Sequence, residues 1–148
     1  SMNEEKINFK DFLTFQIGVL SRDLSRFFNN WFAEYNVTIG QALVMYALLD
    51  QEDRSIKDIA QSLELDSPAV SRLVDRLLKG NLITRKEDRE DRRALKINLT
   101  EEGEKIARQL LAKSAAFNRL LREKLGEEKF KIFQEGLSEI KNALNFQE

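Results

Sequence analysis

The stretch SPAVSRLVDRLLKGNLITRKEDREDRRALKINL (residues 67–99) decides the fold, because it joins an amphipathic helix to two short β-prone runs. Ser67 is a good helix N-cap and Pro68 suits the first helical position, so together they predict where the helix begins. Gly80 or Asn81 can adopt the left-handed conformation that ends a helix. The sequence therefore predicts a helix with a well-defined start and end.

The side chains of this helix separate into two faces at the three-and-four spacing of an α-helix. The inward face is predicted to hold Val70, Leu73, Val74, Leu77 and Leu78. The outward face is predicted to hold Ala69, Ser71, Arg72, Asp75, Arg76 and Lys79. Small side chains among the outward cations permit another molecule to approach closely.

The rest of the stretch predicts a β-hairpin. The runs LITRK (82–86) and ALKINL (94–99) are short and β-prone, and Leu95, Ile97 and Leu99 alternate with polar residues as in a strand with one buried face. The nine consecutive charged residues at 85–93 are too polar to pack, so we expect them at the tip of the hairpin.

Two capping boxes predict the helices that precede this stretch. Thr38 with Gln41 starts a helix that runs to about Asp50, and Ser55 with Asp58 starts a short one. Only three or four residues separate the short helix from the helix at residue 67, a spacing that suits a helix-turn-helix. A helix-turn-helix followed directly by a β-hairpin is a winged helix.

Longer amphipathic helices are predicted on both sides of the winged helix. Apolar residues at helical spacing indicate one within residues 7–35, Thr100 caps another that Gly126 breaks, and a last helix follows. The fold class is therefore mostly α with a small β-hairpin. We expect an N-terminal helix in residues 1–37, a winged helix-turn-helix in 38–100 and C-terminal helices in 101–148.

The composition excludes several kinds of chemistry. The 148 residues include no Cys and no His, so thiol redox sensing, thiolate nucleophiles and His-based triads are impossible and a zinc site is improbable. We expect no enzyme, no cofactor and no metal. The apolar runs fall far short of the ~20 residues needed to span a bilayer, and the N-terminus shows no signal pattern, so we expect a cytoplasmic protein.

Charge and aromatic residues indicate the partner. Residues 72–96 hold nine basic and five acidic residues, a net charge of plus four in a chain whose total is minus one. This asymmetry favours contact with a phosphate backbone. No aromatic residue lies between Tyr46 and Phe117, so the basic region lacks the stacking platform that single-strand binders use. Double-stranded DNA is therefore the predicted partner.

Residues 38–102 resemble the MarR family of bacterial transcriptional regulators. The resemblance rests on Ser71-Arg72 and Arg76 in the helix, on Asp91-Arg92-Arg93 in the wing and on the Leu-Thr-Glu-Glu-Gly helix start at 99–103. It implies a homodimer whose first, fifth and sixth helices interlock in a dimerisation region, with two recognition helices in successive major grooves. Glu64 departs from the family, whose members often carry Gly at that turn.

The resemblance and the outward helix face together give the candidate DNA-binding residues. For the major groove they are Ser67, Pro68, Ala69, Ser71, Arg72 and Arg76. Arginine can pair with guanine or clamp a phosphate, and the sequence leaves both roles open. In the wing, Asp91 and Arg93 match the family's Asp-x-Arg, while Arg89 and Arg92 lie nearest the tip and are candidates for the minor groove.

Nine of the 13 aromatic residues fall in the first 46 positions. One interpretation is that they pack a dimer or lobe interface. The other follows from the resemblance, which implies a site for a small aromatic or anionic effector between the dimerisation region and the winged helix. Trp31, Tyr35 and Tyr46 are the candidate residues for that site.

We therefore expect an effector-responsive repressor that binds a pseudo-palindromic operator as a homodimer. The main alternative is a winged-helix protein-interaction module whose basic face binds an acidic partner. The charged run is by itself also consistent with a solvated hairpin tip. A hydrolase using paired carboxylates is the least favoured hypothesis.

Overall fold

The computed structural model describes residues 6–87, 90 and 95–145. Within these residues the secondary structure consists of six α-helices, two short 3-10 turns (Phe9–Asp11 and Ala33–Tyr35) and two strands. In chain order they are α1 (Leu13–Trp31), α2 (Ile39–Asp50), α3 (Ile56–Leu63), α4 (Ser67–Lys79), β1 (Ile83–Glu87), β2 (Leu95–Leu99), α5 (Glu101–Leu125) and α6 (Glu127–Asn145). The prediction of a mostly helical fold with one hairpin is confirmed.

The chain divides into two compact units, Ser1–Ala107 and Arg108–Glu148. The first unit holds a closely packed core in which α2, α3 and α4 supply most of the buried side chains. The buried apolar residues of these three helices are Ala42, Val44, Met45, Ala47, Leu48, Ile59, Ala60, Val70, Val74 and Leu77. In the described part of the chain, no helix is both long and apolar enough to span a membrane.

Both predicted capping boxes are present. The Thr38 hydroxyl accepts from the Gln41 backbone N–H at 3.3 Å, and the Gln41 side-chain oxygen accepts from the Thr38 N–H at 2.8 Å. Ser55 and Asp58 form the same pair of bonds at 3.1 and 3.2 Å. These bonds satisfy amide groups that a helix start leaves open, and they therefore fix where α2 and α3 begin.

The N-terminal helix is shorter than its apolar pattern predicts. Phe12 is extended, with φ −71° and ψ 131°, so a separate 3-10 turn precedes α1. After Phe32 a second 3-10 turn ends at Asn36, whose φ of 57° is left-handed. Apolar spacing continues through these breaks, because 3-10 turns present side chains at a period close to that of the α-helix.

The start of α4 differs by one residue from the prediction. Asp66 is the N-cap instead of Ser67, and its carboxylate accepts from the Ala69 N–H at 2.7 Å. A negative charge interacts more favourably with the positive end of a helix than a neutral hydroxyl does, which explains the choice. Ser67 and Pro68 thus occupy the first two helical positions. Asn81 supplies the expected left-handed residue after the helix, with φ 58°.

The turn between α3 and α4 closes on a residue other than glycine. Glu64 has φ 56° and ψ 40°, and its N–H donates to the carbonyl of Gln61 at 3.3 Å. The N–H of Leu65 donates to the carbonyl of Ala60 at 3.0 Å. These two bonds form a Schellman motif, which satisfies carbonyl groups at the end of α3 although the left-handed position carries a side chain.

The two strands form an antiparallel hairpin in which Ile83 is paired with Leu99 and Arg85 with Ile97. Ile97 is fully buried, as its alternation with polar neighbours predicts. The Ile97 N–H also donates to the carbonyl of Arg54 at 2.8 Å. This bond ties the inner strand of the hairpin to the loop between α2 and α3.

A side-chain pair strengthens the same connection. The Asp53 N–H donates to Oδ1 of Asn98 at 2.9 Å, and Nδ2 of Asn98 donates to Oδ1 of Asp53 at 2.7 Å. Together with the bond between Arg54 and Ile97, this pair forms the wing clamp, named here for the four residues Asp53, Arg54, Ile97 and Asn98. The clamp fixes the base of the hairpin to the helical core.

The start of α5 is also fastened to this core. The Thr100 hydroxyl accepts from the Gly103 N–H at 3.0 Å and donates to the carbonyl of Asn81 at 2.9 Å. A Cβ atom at Gly103 would overlap the carbonyl of Leu82, so this position accepts only glycine without a shift of the backbone. At the other end of α5, Gly126 has φ 80°, which only glycine adopts readily.

Candidate nucleic-acid interface

Helix α4 presents a continuous exposed surface. Its apolar side packs inward through Val70, Val74 and Leu77. The opposite side exposes Ser67, Pro68, Arg72, Asp75, Arg76 and Lys79, whereas Ala69 and Ser71 are half-buried. At 3.6 residues per turn, Pro68, Arg72, Asp75 and Lys79 fall along one line of this surface. The surface therefore has small side chains near the start of α4 and cations along the rest of the helix.

The acidic residue on this surface is paired with the wing. Nη1 of Arg85, on β1, lies 4.0 Å from Oδ1 of Asp75. Arg72, three residues before Asp75, has no ion pair or hydrogen bond within the described residues. The guanidinium of Arg72 is thus exposed and unpaired there, while the nearest carboxylate on its own helix is directed to another cation.

The hairpin adds further positive charge beside α4. Lys86 and Lys96 are directly paired across the two strands, so both side chains lie on one face of the hairpin. Like charges in this position repel unless an anion lies close to them. The four wing residues predicted from the sequence, Arg89, Asp91, Arg92 and Arg93, lie outside the described residues.

Asp58, at the start of α3, adds a fixed negative charge on the side of the wing base. The hydrogen bond from the Ser55 backbone N–H is the main cause that lowers the pKa of Asp58 below 3.8, followed by the Ser55 hydroxyl contact. Lys96 and Arg54 lower the pKa of Asp58 further through their charges. The carboxylate therefore stays ionised at neutral pH, and it attracts the charges of Lys96 and Arg54.

Arg54 is a buried cation, and the local sequence around it did not predict this burial. Its Nη2 donates to Oε1 of Gln51 at 3.0 Å and lies 3.5 Å from Oδ2 of Asp50, while Nη1 has no partner within the described residues. The partners of Arg54 are the last residue of α2 and the residue after it, four and three positions away. Such short-range pairs are common on protein surfaces, so only its burial distinguishes Arg54 from a surface arginine.

A cavity of 720 Å³ lies within the first unit, between the C-terminal end of α4 and the helices beside it. Arg76 and Lys79 line it from α4, and Glu102 lines it from α5. The other lining residues are Asn29, Ala33, Tyr35, Asn36, Val37, Thr38, Gln41, Leu77, Gly80, Leu82 and Ile106. The cavity thus joins two cations of the α4 surface to a concave, partly apolar site.

The three aromatic candidates for an effector site occupy different surroundings. Tyr35 lines this cavity, whereas Trp31 and Tyr46 are not among its described lining residues. Trp31 packs instead in an aromatic cluster, with ring centroids 5.7 Å from Phe27 and 5.8 Å from Phe32. Tyr46 is half-buried on α2.

Comparison with known proteins supports this description. Residues 35–94 match the sequence profile of the MarR family. The chain is also 34% identical over 104 residues to the HTH-type transcriptional regulator MgrA of Staphylococcus aureus, covering 70% of this chain and 71% of that protein.

Solved structures with a similar fold include proteins bound to DNA. The MepR–DNA complex of Staphylococcus aureus gives a TM-score of 0.84 at 22% identity, covering 89% of this chain and 98% of that one. The transcriptional repressor CouR bound to a 23-mer DNA duplex gives a TM-score of 0.79 at 20% identity, covering 93% of this chain and 99% of that one. At these identities the likeness shows the fold.

Proposed function

Because the chain belongs to the MarR family of transcriptional regulators, whose members are not enzymes, we propose that it binds double-stranded DNA with sequence specificity. The exposed surface of α4 carries this proposal, since Arg72 and Arg76 project from a capped helix whose other side is buried. Cations arranged in this way suit a major groove bounded by phosphates. The similar folds of MepR and CouR, both solved with DNA, support the same partner.

In this proposal, the start of α4 enters the major groove and the wing reaches the neighbouring minor groove. The small side chains of Ser67, Ala69 and Ser71 permit close approach of the helix to the base edges. The wing arginines Arg89 and Arg92 keep their sequence-based assignment to the minor groove, with Asp91 bracing the loop or orienting Arg93. A narrow groove attracts inserted arginine, which is the physical basis of that assignment.

A homodimer is the second element of the proposal. Helix α1 has no buried residue within the chain, although Leu13, Ile17, Leu20 and Phe27 project from it and are exposed. Helix α6, in the other unit, buries only Phe130 among its described residues and exposes Ile132, Phe133 and Leu137. Apolar faces of this kind are removed from water only when a partner covers them. A second copy would supply it and would place the two recognition helices ~34 Å apart on a pseudo-palindromic site.

An effector-responsive repressor is the third element. The 720 Å³ cavity suits a small aromatic or anionic molecule, because Tyr35 and apolar side chains line it together with Arg76 and Lys79. An anion bound there would pair with Arg76 or Lys79 and so compete with DNA for cations that α4 also presents to it. Linkage of this kind typically couples two sites by ~1 to 3 kcal/mol. A regulator acting on chromosomal DNA also places the protein in the cytoplasm.

Selection of bound duplexes from a random pool tests the proposal. We expect a motif with two-fold symmetry, and its recovery by the intact chain would establish partner and symmetry together. A basic face that serves an acidic protein would enrich no sequence. Arg72→Ala and Arg76→Ala together should abolish binding to the selected duplex in a gel-shift titration without changing the oligomeric state. Lys129→Ala with Lys131→Ala, which removes two exposed cations from α6, should leave binding unchanged.

A further inference from the structure

The two arginines of α4 lie in different surroundings although they share one surface. Arg72 is the sixth residue of the helix and Arg76 the tenth. Their Cα atoms are therefore ~6 Å apart along the helix axis. Recognition helices contact base edges with their N-terminal residues. Position along the helix therefore brings Arg72 nearer to the bases than Arg76.

The surroundings of Arg72 leave its donors available. Asp75, the carboxylate one turn along the same face, is 4.0 Å from Arg85 on the wing. The neighbours of Arg72 towards the helix start are small, with Ser71 and Ala69 half-buried. A planar guanidinium in such a position can lie in the plane of a base and donate to two acceptors at once.

The surroundings of Arg76 are different. It lines the 720 Å³ cavity together with Lys79 and with Glu102 of α5. Its side chain is thus placed at the flank of α4, beside the body of the unit, and later in the helix than Arg72. A cation at the flank of a recognition helix faces the wall of the groove, where the phosphates are, more than its floor.

We infer that the two arginines divide the work of recognition: Arg72 reads a guanine in each half-site by donating to N7 and O6, and Arg76 contacts a backbone phosphate. This inference rests on the proposed function and assigns its sequence specificity to one residue per protomer. Arg72 is then the specificity-determining residue, and Arg76 contributes affinity that does not depend on sequence.

An atomic substitution in the DNA tests this division. In the selected duplex, each guanine is replaced in turn by 7-deazaguanine, which lacks the N7 acceptor. We expect one guanine per half-site at which the replacement weakens binding of the unaltered protein by about tenfold. Arg72→Ala should bind the normal and the replaced duplex equally. Arg76→Ala, which removes the same charge, should retain the full tenfold difference while binding every duplex more weakly.

The salt dependence provides a second readout. Arg76→Ala should reduce the slope of log affinity against log salt by ~0.9 for each phosphate that the protein no longer neutralises, whereas Arg72→Ala, which loses a base contact, should change the slope little. Arg72→Gln, a second substitution at this exposed position, should again remove the response to 7-deazaguanine. Urea unfolding of each variant shows whether it is folded.

Three outcomes contradict the inference in different ways. If the random pool yields no motif, the proposed function itself fails. If a motif appears but Arg72→Ala still distinguishes 7-deazaguanine from guanine, DNA binding stands and the division of roles is wrong. If Arg76→Ala removes that distinction instead, the two roles are reversed.

Discussion

Nη1 of Arg85 lies 4.0 Å from Oδ1 of Asp75, and this ion pair joins the first strand of the wing to α4. Both side chains are substantially exposed, so water and salt screen their attraction. We predict a coupling free energy of ~1 kcal/mol or less in a double-mutant cycle with Asp75→Asn and Arg85→Gln. The measurement is urea unfolding of the four proteins at low and at high salt. A larger coupling that persists in high salt would contradict the exposed geometry.

Gly103→Ala should destabilise the protein strongly. A Cβ atom at this position would overlap the backbone carbonyl of Leu82, which cannot rotate away as a side chain would. We expect a loss of ~3 kcal/mol or more in the free energy of unfolding, at the upper end of overpacking effects. Urea or thermal unfolding measures it.

Gly136→Ala is the matched control for Gly103. Apart from its chain neighbours and the nearby backbone of its own helix, no heavy atom of the described residues lies within 4 Å of the added Cβ, and the residue is inside α6. The higher helix propensity of alanine should leave stability unchanged or raise it by up to ~1 kcal/mol. A large loss at Gly136 would instead indicate that a partner copy packs against this position.

Acid should weaken the start of α3 through Asp58. The hydrogen bond from Ser55, assisted by Lys96 and Arg54, holds the pKa of Asp58 below 3.8 in the folded protein. The charged carboxylate is therefore fully stabilising above about pH 5, and its contribution is lost as the pH falls through the folded-state pKa. Asp58→Asn should cost ~0.3 to 1 kcal/mol at pH 7 and less at pH 3, measured by urea unfolding at each pH. A difference that does not change with pH would argue against a charge effect.

Removal of the wing arginines should weaken DNA binding and flatten its salt dependence. Arg92→Ala with Arg93→Ala removes two cations per protomer, so a dimer can leave up to ~4 phosphates without a cation and reduce the slope of log affinity against log salt by ~3.6. Filter binding over a range of salt concentrations measures the slope. If the slope stays the same, the charged run is a solvated hairpin tip and not part of the DNA interface.

Stability should depend on protein concentration if the exposed faces of α1 and α6 pair in a homodimer. The thermal midpoint should then rise as the protein is concentrated, because association stabilises only the folded chain. Phe133→Glu, which places a charge on the exposed face of α6, should yield a monomer with a lower, concentration-independent midpoint. Sedimentation provides the oligomeric state. A wild-type midpoint that is constant over a roughly hundredfold dilution would contradict the dimer.

Local signals in the sequence predicted most of the fold. The capping pairs Thr38–Gln41 and Ser55–Asp58 act over three residues, and the burial of Ile97 follows from a period of two. Asp66 and Ser67 are neighbours and both are good N-caps, and local signals do not decide between them. The sequence therefore predicts Ser67, whereas Asp66 is the N-cap in the structure. The break at Phe12 was missed because a 3-10 turn maintains the apolar spacing.

The candidate site was predictable only in part. The exposed side of α4 follows from helical periodicity, and its residues were named from the sequence. The pair Asp53–Asn98 joins residues 45 positions apart, and Asp75–Arg85 joins a helix to a strand. Such contacts depend on how elements pack, so no local pattern encodes them. Arg76 lies on the exposed surface of α4 and also lines the cavity. This second position depends on packing for the same reason, so the sequence does not predict it.

The wing clamp has a consequence for the thermodynamics of recognition. Because Asp53 and Asn98 bond to each other in both directions and Ile97 bonds to Arg54, the lower part of the hairpin is preorganised before any ligand arrives. The strand base and α4 then meet the partner as one rigid template, which lowers the entropic penalty of association for this part of the interface. Loosening the clamp should therefore slow association as well as weaken the complex, although none of its four residues need touch the nucleic acid.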